Sequence, residues 1–214
     1  MTRVKVCGLT NLDDARQAAD LGAWALGLIL WPQSPRACPP AAAEEIGALM
    51  RRRADVTGVF VNATLDAVAL AADRFSLDIL QLHGDEGPAY CREAARRTGC
   101  RVMKAARVRG AATIRELEPF YTDLHLLDAH VAGRRGGTGE TFDWDIARSH
   151  PRAVGLVLSG GLHADNVRQA IVAVEPYAVD TASGTEAAPG VKDPARVEAF
   201  FRAVEAADHE RAAA

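Results

Sequence analysis

Eight times along this chain a short apolar or β-branched run gives way to a longer segment rich in Ala, Glu and Arg. No other feature narrows the accessible folds as far. The runs are Val4–Cys7, Ala25–Leu30, Val56–Val61, Ile79–His83, Val102–Ala105, Leu124–Asp128, Val154–Ser159 and Ala178–Ala182. The segments Leu12–Leu21, Ala41–Arg53, Leu65–Phe75, Pro88–Thr98, Ala111–Leu117, Trp144–Ser149, Asp165–Val174 and Pro194–Ala207 have helical character. Asn11, Thr64, and Asp193 before Pro194 are suitable caps. No linker or break in composition interrupts the rhythm. Repeated strand–helix units need a parallel sheet with helices outside it. Eight of them within 214 residues predict a single closed (β/α)8 TIM barrel over residues 1–207. An open doubly wound sheet is the alternative. Residues 208–214 have no apolar periodicity and are expected to fray.

Charge narrows the partners. A net charge of −3 and a pI near 6.1 give no electrostatic reason for a nucleic-acid or anionic-membrane partner. The longest apolar run, around Ala23 to Trp31, is too short to span a bilayer, and nothing at the N-terminus reads as a signal peptide. A cytoplasmic location follows as the expectation. Cys7, Cys38, Cys91 and Cys100 form no Cys-x-x-Cys pair and have no His at zinc spacing, so free thiols are expected rather than a metal site.

In such barrels chemistry sits where strands end and βα loops begin, and the unusual residues gather there. Glycine clusters follow the last three strands: Gly136-Gly137-Thr138-Gly139, then Ser159-Gly160-Gly161, then Ser183-Gly184. Glycines let backbone amides close around an anion, so the loops after the seventh and eighth strands are a candidate phosphate site. The chain has neither a Walker A nor a dinucleotide fingerprint. Alternation puts Lys5 and Cys7 on the inner face of the first strand and Val4 and Val6 outside. Asp180, inward on the eighth strand, is the expected partner of Lys5. A cation beside Cys7 favours its thiolate, which makes Cys7 a candidate base tuned by Lys5. Asp128 ends a largely apolar strand, where burial would suit it to donate a proton. Arg36, in Ser34-Pro35-Arg36, can hold a carboxylate through two parallel bonds. Gln81 and His83 point inward and line the site. His125, His150, His163 and His209 show no ligand spacing, and Arg51 to Arg53 read as a solvated helix end.

These motifs, in this order, resemble phosphoribosylanthranilate isomerase. The marks are Lys5-Val6-Cys7-Gly8-Leu9-Thr10, Ser34-Pro35-Arg36, Gly58-Val59-Phe60-Val61-Asn62, Gln81-Leu82-His83-Gly84-Asp85, Leu127-Asp128, Gly136 to Gly139, Leu158 to Leu162, and Val179-Asp180 through Ser183-Gly184 to Glu186. The resemblance runs from Val4 to about Val204. It implies an Amadori rearrangement of N-(5-phosphoribosyl)anthranilate in tryptophan biosynthesis, without metal or organic cofactor. Asp128 would be the general acid at the furanose ring oxygen and Cys7 the general base at the sugar C2. Arg36 would face the anthranilate carboxylate, and Gln81, His83, Gly137, Gly139 and Asp180 would contact substrate. Ser159, Gly160, Gly161, Ser183 and Gly184 would bind the phosphate, and the Gly136–Gly139 loop would close over the site. The only partner implied is this phosphosugar–anthranilate molecule, bound by a monomer or homodimer. Leu28, Leu30, Trp31, Ala178 and Thr181-Ala182 depart from residues common in the family. Two other readings are an isomerase of the histidine-pathway phosphoribosyl amine and a catalytically silent phosphosugar-binding barrel. Cys7 at the base position argues against the first, and the intact set Cys7, Asp128 and Arg36 against the second.

Overall fold

The computed structural model describes residues 1–129 and 144–213. Eight parallel strands pair in chain order: β1 (Arg3–Cys7), β2 (Ala25–Ile29), β3 (Asp55–Phe60), β4 (Ile79–Leu82), β5 (Arg101–Val108), β6 (Leu124–Ala129), β7 (Gly155–Leu158) and β8 (Ala178–Thr181). The outer helices are α1 (Leu12–Asp20), α2 (Pro40–Met50), α3 (Leu65–Arg74), α4 (Pro88–Thr98), α5 (Ala112–Leu117), α6 (Trp144–Arg148), α7 (Val167–Val174) and α8 (Pro194–Ala213). The ladder between β1 and β8, with Lys5 opposite Asp180, closes the barrel and excludes the open sheet. The expected caps form. Asn11 accepts from the Asp14 amide, Thr64 from the Ala67 amide, and Asp193 from the Ala195 and Arg196 amides.

Two apolar layers follow from the period-two pattern. Outward residues such as Val6, Leu26, Leu80 and Val179 pack against the helices. Ile79, Met103, Ala105, Leu124, Leu126, Val157 and Ala178 fill the barrel itself. At the N-terminal end of the strands Trp24 and Tyr177 meet edge to face, 5.4 Å between centroids. Arg3 lies over the Tyr177 ring at 4.2 Å, and Arg101 pairs with Asp55. These side chains cover that end of the barrel. Among the described residues no helix is long and apolar enough to cross a membrane.

Two segments depart from the sequence-based expectation. The tail does not fray at Asp208: α8 continues to Ala213. Its polar residues are tied to the body, since Asp208 accepts from the amide and hydroxyl of Thr2, Arg168 pairs with Glu210, and Arg211 lies 3.8 Å from Glu175. Periodicity registers apolar burial and is blind to such contacts. After β8 comes a 3₁₀ turn (Ser183–Thr185), then an unexpected hairpin of β9 (Glu186–Ala188) and β10 (Val191–Lys192). Pro189-Gly190, the turn signal between them, is a standard hairpin punctuation.

Candidate active site

Cys7 and Lys5 face the interior, as alternation predicts, with Cys7 5 % exposed and Lys5 wholly buried. Lys5 Nζ donates to Asp180 Oδ1 at 2.7 Å, which confirms the expected pair across the β1–β8 seam. The second oxygen of Asp180 accepts from the Ser159 hydroxyl at 2.9 Å. Space for this cluster comes from Gly27, opposite Cys7 on β2. A Cβ there would stand 2.6 Å from Cys7 Sγ and 3.0 Å from Lys5 Nζ. A glycine inside a strand marks such close approaches, and this was the signal available in the sequence. Burial would by itself lower the pKa of Lys5, but Asp180 and then Cys7 outweigh it and raise the value to about 12. Cys7 does not behave as expected from Lys5 alone. Burial pushes its pKa above the usual thiol value, and Lys5 only partly pulls it back. Burial thus favours the thiol form of Cys7, against the pull of Lys5 towards the thiolate.

Asp128 lies at the end of β6 with His83 beside it, His83 Nε2 standing 3.4 Å from Asp128 Oδ2. The Gln81 amide nitrogen lies 3.1 Å from His83 Nδ1. With that amide donating, the neutral ring carries its proton on Nε2, directed at Asp128. Gln81 is buried, and its Oε1 has no partner among the described residues. Asp128 stands at the end of a mostly buried strand with its side chain 26 % exposed. The loop behind His83 is fixed by Glu86, which accepts from the Asn62 and Gly84 amides and from Lys104 Nζ at 3.0 Å. Sequence reading had assigned Glu86 and Lys104 no part.

Arg36 reaches the same mouth, but its guanidinium already bonds a buried protein carboxylate, Glu186, through Nε and Nη2. Glu186 had been noted only as the end of a motif. On the phosphate side, Gly160 and Gly161 adopt φ of +93° and +66°, a backbone open to glycine. The amides of Gly160, Gly161, Ser183 and Gly184 have no backbone acceptor recorded among the described residues. Ser159 differs from expectation. Its amide donates to Leu127 O and its hydroxyl to Asp180, which leaves it no donor for an anion. Asp180 likewise has both oxygens engaged within the protein. Gly137 and Gly139 lie outside the described residues. Among the described residues no group of His, Cys, Asp and Glu is placed to hold a metal ion.

Comparison with known proteins gives this mouth a context. The family profile for N-(5'-phosphoribosyl)anthranilate (PRA) isomerase matches residues 4–203. The N-(5'-phosphoribosyl)anthranilate isomerase of Citrifermentans bemidjiense is 49 % identical over 197 residues, covering 92 % of this chain and 94 % of that protein. The crystal structure of phosphoribosyl anthranilate isomerase from Thermotoga maritima superposes with a TM-score of 0.89 at 37 % identity, covering 96 % of this chain and all of that one. A phosphoribosyl anthranilate isomerase in complex with reduced 1-(o-carboxyphenylamino)-1-deoxyribulose 5-phosphate matches with a TM-score of 0.84 at 35 % identity, over 96 % of this chain and all of that one. The chain belongs to the N-(5'-phosphoribosyl)anthranilate isomerase family, and it is an enzyme of tryptophan biosynthesis that carries out the Amadori rearrangement of that phosphosugar amine.

Proposed function

We propose that Asp128 and Cys7 divide the proton transfers of this rearrangement between two sides of the barrel mouth. Asp128 gives a proton to the furanose ring oxygen as the C1–O bond breaks, and the anilino nitrogen lone pair forms the C1–N double bond of an iminium. Cys7, as thiolate, then takes the C2 proton, and the C2–H electrons form the enolamine. The Cys7 thiol or solvent then protonates C1 while the C2 hydroxyl loses its proton, which gives the ketone, and a proton returns to Asp128 for the next turnover. The observation that carries this reading is the placement of both groups at the C-terminal ends of β1 and β6, at one mouth of the closed barrel. Cys7 is backed by buried Lys5, and Asp128 has the part-exposed His83 beside it with buried Gln81 behind that ring.

The resting thiol fits this order of events. An iminium formed next to Cys7 adds a second positive charge to that of Lys5, which lowers the thiol's pKa so that it gives up its proton to solvent, and which acidifies C2–H at the same time. Arg36 holds the anthranilate carboxylate. The free amides of Gly160, Gly161, Ser183 and Gly184 hold the phosphate, aided by their concave arrangement. The test is growth of a tryptophan auxotroph lacking this isomerase, backed by kinetics on purified protein. Wild type should rescue, and Cys7→Ala or Asp128→Asn should each lower kcat by about 10²–10⁴-fold without unfolding the barrel. Full activity in either variant would remove that residue from the mechanism.

A further inference from the structure

The carboxylate that holds Arg36 is unusual in its surroundings. Arg36 Nε is shared between both oxygens of Glu186, at 2.8 and 2.9 Å, and Nη2 donates to Oε2 at 2.8 Å. Glu186 is 5 % exposed, and its Oε1 also accepts from the Gly190 amide at 3.3 Å and lies 3.5 Å from Lys192 Nζ. Lys192 is itself buried and donates to Ala182 O at 2.9 Å. The hairpin is pinned to the β1–α1 region, because Thr10 donates to Gly190 O and the Lys192 amide to Asp14 Oδ2 at 2.9 Å. The stem of Arg36 crosses Gly8, next to Cys7, where a Cβ would stand 3.1 Å from Arg36 Cδ.

We propose that Glu186 is a positioning residue that aims Arg36, so that the β9–β10 hairpin sets how the enzyme recognises the substrate carboxylate. The inference rests on the reading of Arg36 given under Proposed function. A guanidinium has five N–H donors in a rigid fork. Glu186 takes the Nε edge, and no acceptor is recorded for Nη1 among the described residues. The edge between Nη1 and the outer Nη2 hydrogen is then left for one bidentate partner. A long arginine fixed before binding loses little freedom when the ligand arrives. Two cations on one carboxylate leave the cluster with one net positive charge, which suits an anionic ligand group. Because the stem lies against Gly8, the fixed fork also sets the distance between the bound ring and the Cys7 sulfur.

The experiment compares the natural substrate with its analogue made from aniline, which lacks the carboxylate, in Arg36→Met, Glu186→Gln, Glu186→Asp and the Arg36→Met/Glu186→Gln double variant. The Glu186 variants should raise KM for the carboxylated substrate by about 10–100-fold while kcat changes by less than about threefold. They should lower kcat/KM for the aniline analogue by less than about threefold, and Glu186→Gln should add little to Arg36→Met. Glu186→Asp keeps the buried charge and shortens its reach, so it decides the matter alone if Glu186→Gln does not fold. Equal losses on both substrates would show a merely structural role and overturn the inference. So would an unchanged KM in the Glu186 variants when Arg36→Met raises it. An unchanged KM in Arg36→Met would instead remove the reading of Arg36 and the inference with it.

Discussion

The two halves of the mouth are built on opposite principles. Around Cys7 the charged groups are buried. Lys5 and the Ser159 hydroxyl both donate to Asp180, and Gly27 gives way so that sulfur and ammonium can lie together. Around Asp128, among the described residues, the neighbour is a histidine with the Gln81 amide behind it, and the carboxyl is partly exposed. A base that must stay protonated until a cation forms beside it benefits from low dielectric, which penalises the thiolate and strengthens its attraction to that cation. An acid that must recover its proton after each turnover benefits from contact with water. The contrast teaches that the barrel divides its chemistry by burial as much as by residue type.

Breaking the buried half should have the largest effect. Lys5→Met leaves Asp180 buried without its cation, a change that costs about 3–5 kcal/mol and lowers the melting temperature by roughly 10 °C. It also removes the group that pulls the Cys7 pKa down, so the alkaline rise of kcat/KM should move to higher pH. Calorimetry and a pH–rate profile check both. Removing Asp180 as well, in Lys5→Met/Asp180→Leu, should recover stability but not activity. Gly27→Ala is next. Its methyl meets Cys7 Sγ at 2.6 Å and Cys7 Cα at 2.9 Å, so overpacking should cost about 1–3 kcal/mol, and kcat should fall while the environment of His83 seen by NMR is unchanged.

The exposed half should give way more gently. Gln81→Leu removes the donor to His83 Nδ1 together with a buried oxygen that has no partner. Stability should then change by less than about 1 kcal/mol, while kcat falls roughly 3- to 10-fold because the ring is no longer aimed. A stability loss as large as that of Lys5→Met would erase the contrast. The smallest effect lies away from both halves, at the buried pair His125 and His150, 2.9 Å apart. Burial lowers the pKa of His125, and burial with the neighbouring ring lowers that of His150 to about 4. Between that value and the unfolded value of about 6.5 the unfolded chain binds more protons. The stabilisation should therefore be complete above about pH 6.5 and be lost as pH falls towards 4. The pH dependence of the denaturant midpoint should differ between wild type and His150→Phe within that window, and the two curves should run parallel outside it.

How much of this was legible in sequence depended on the range of the physics involved. The eight strands follow from local periodicity, and the Lys5–Asp180 pair followed from it too, although 175 positions separate them, because closing eight strands makes β1 and β8 neighbours. The position of Cys7 was legible but its ionisation was not. A neighbouring lysine is visible in sequence, whereas the burial that outweighs it is a property of the packed barrel. Gly27, a glycine inside a strand, signals a close approach in the sequence, whereas its neighbours, the Cys7 sulfur and the Lys5 ammonium, follow only from the closed barrel. Arg36 reads in sequence as a group that can hold a carboxylate, but its protein partner Glu186 is not legible there, because it lies 150 positions away on a hairpin with no apolar pattern to announce it. Ser159 read as a phosphate donor for the same reason. Its hydroxyl is committed across the strands to Asp180.

The division of labour between Cys7 and Asp128 is tested most directly by the primary kinetic isotope effect on kcat with substrate deuterated at C2. Cys7→Ser weakens the base, so C2–H cleavage should limit turnover and express a large isotope effect. Asp128→Asn disables ring opening before that bond is touched, so the isotope effect should collapse towards unity. A large effect in Asp128→Asn together with none in Cys7→Ser would contradict the assignment and exchange the two roles.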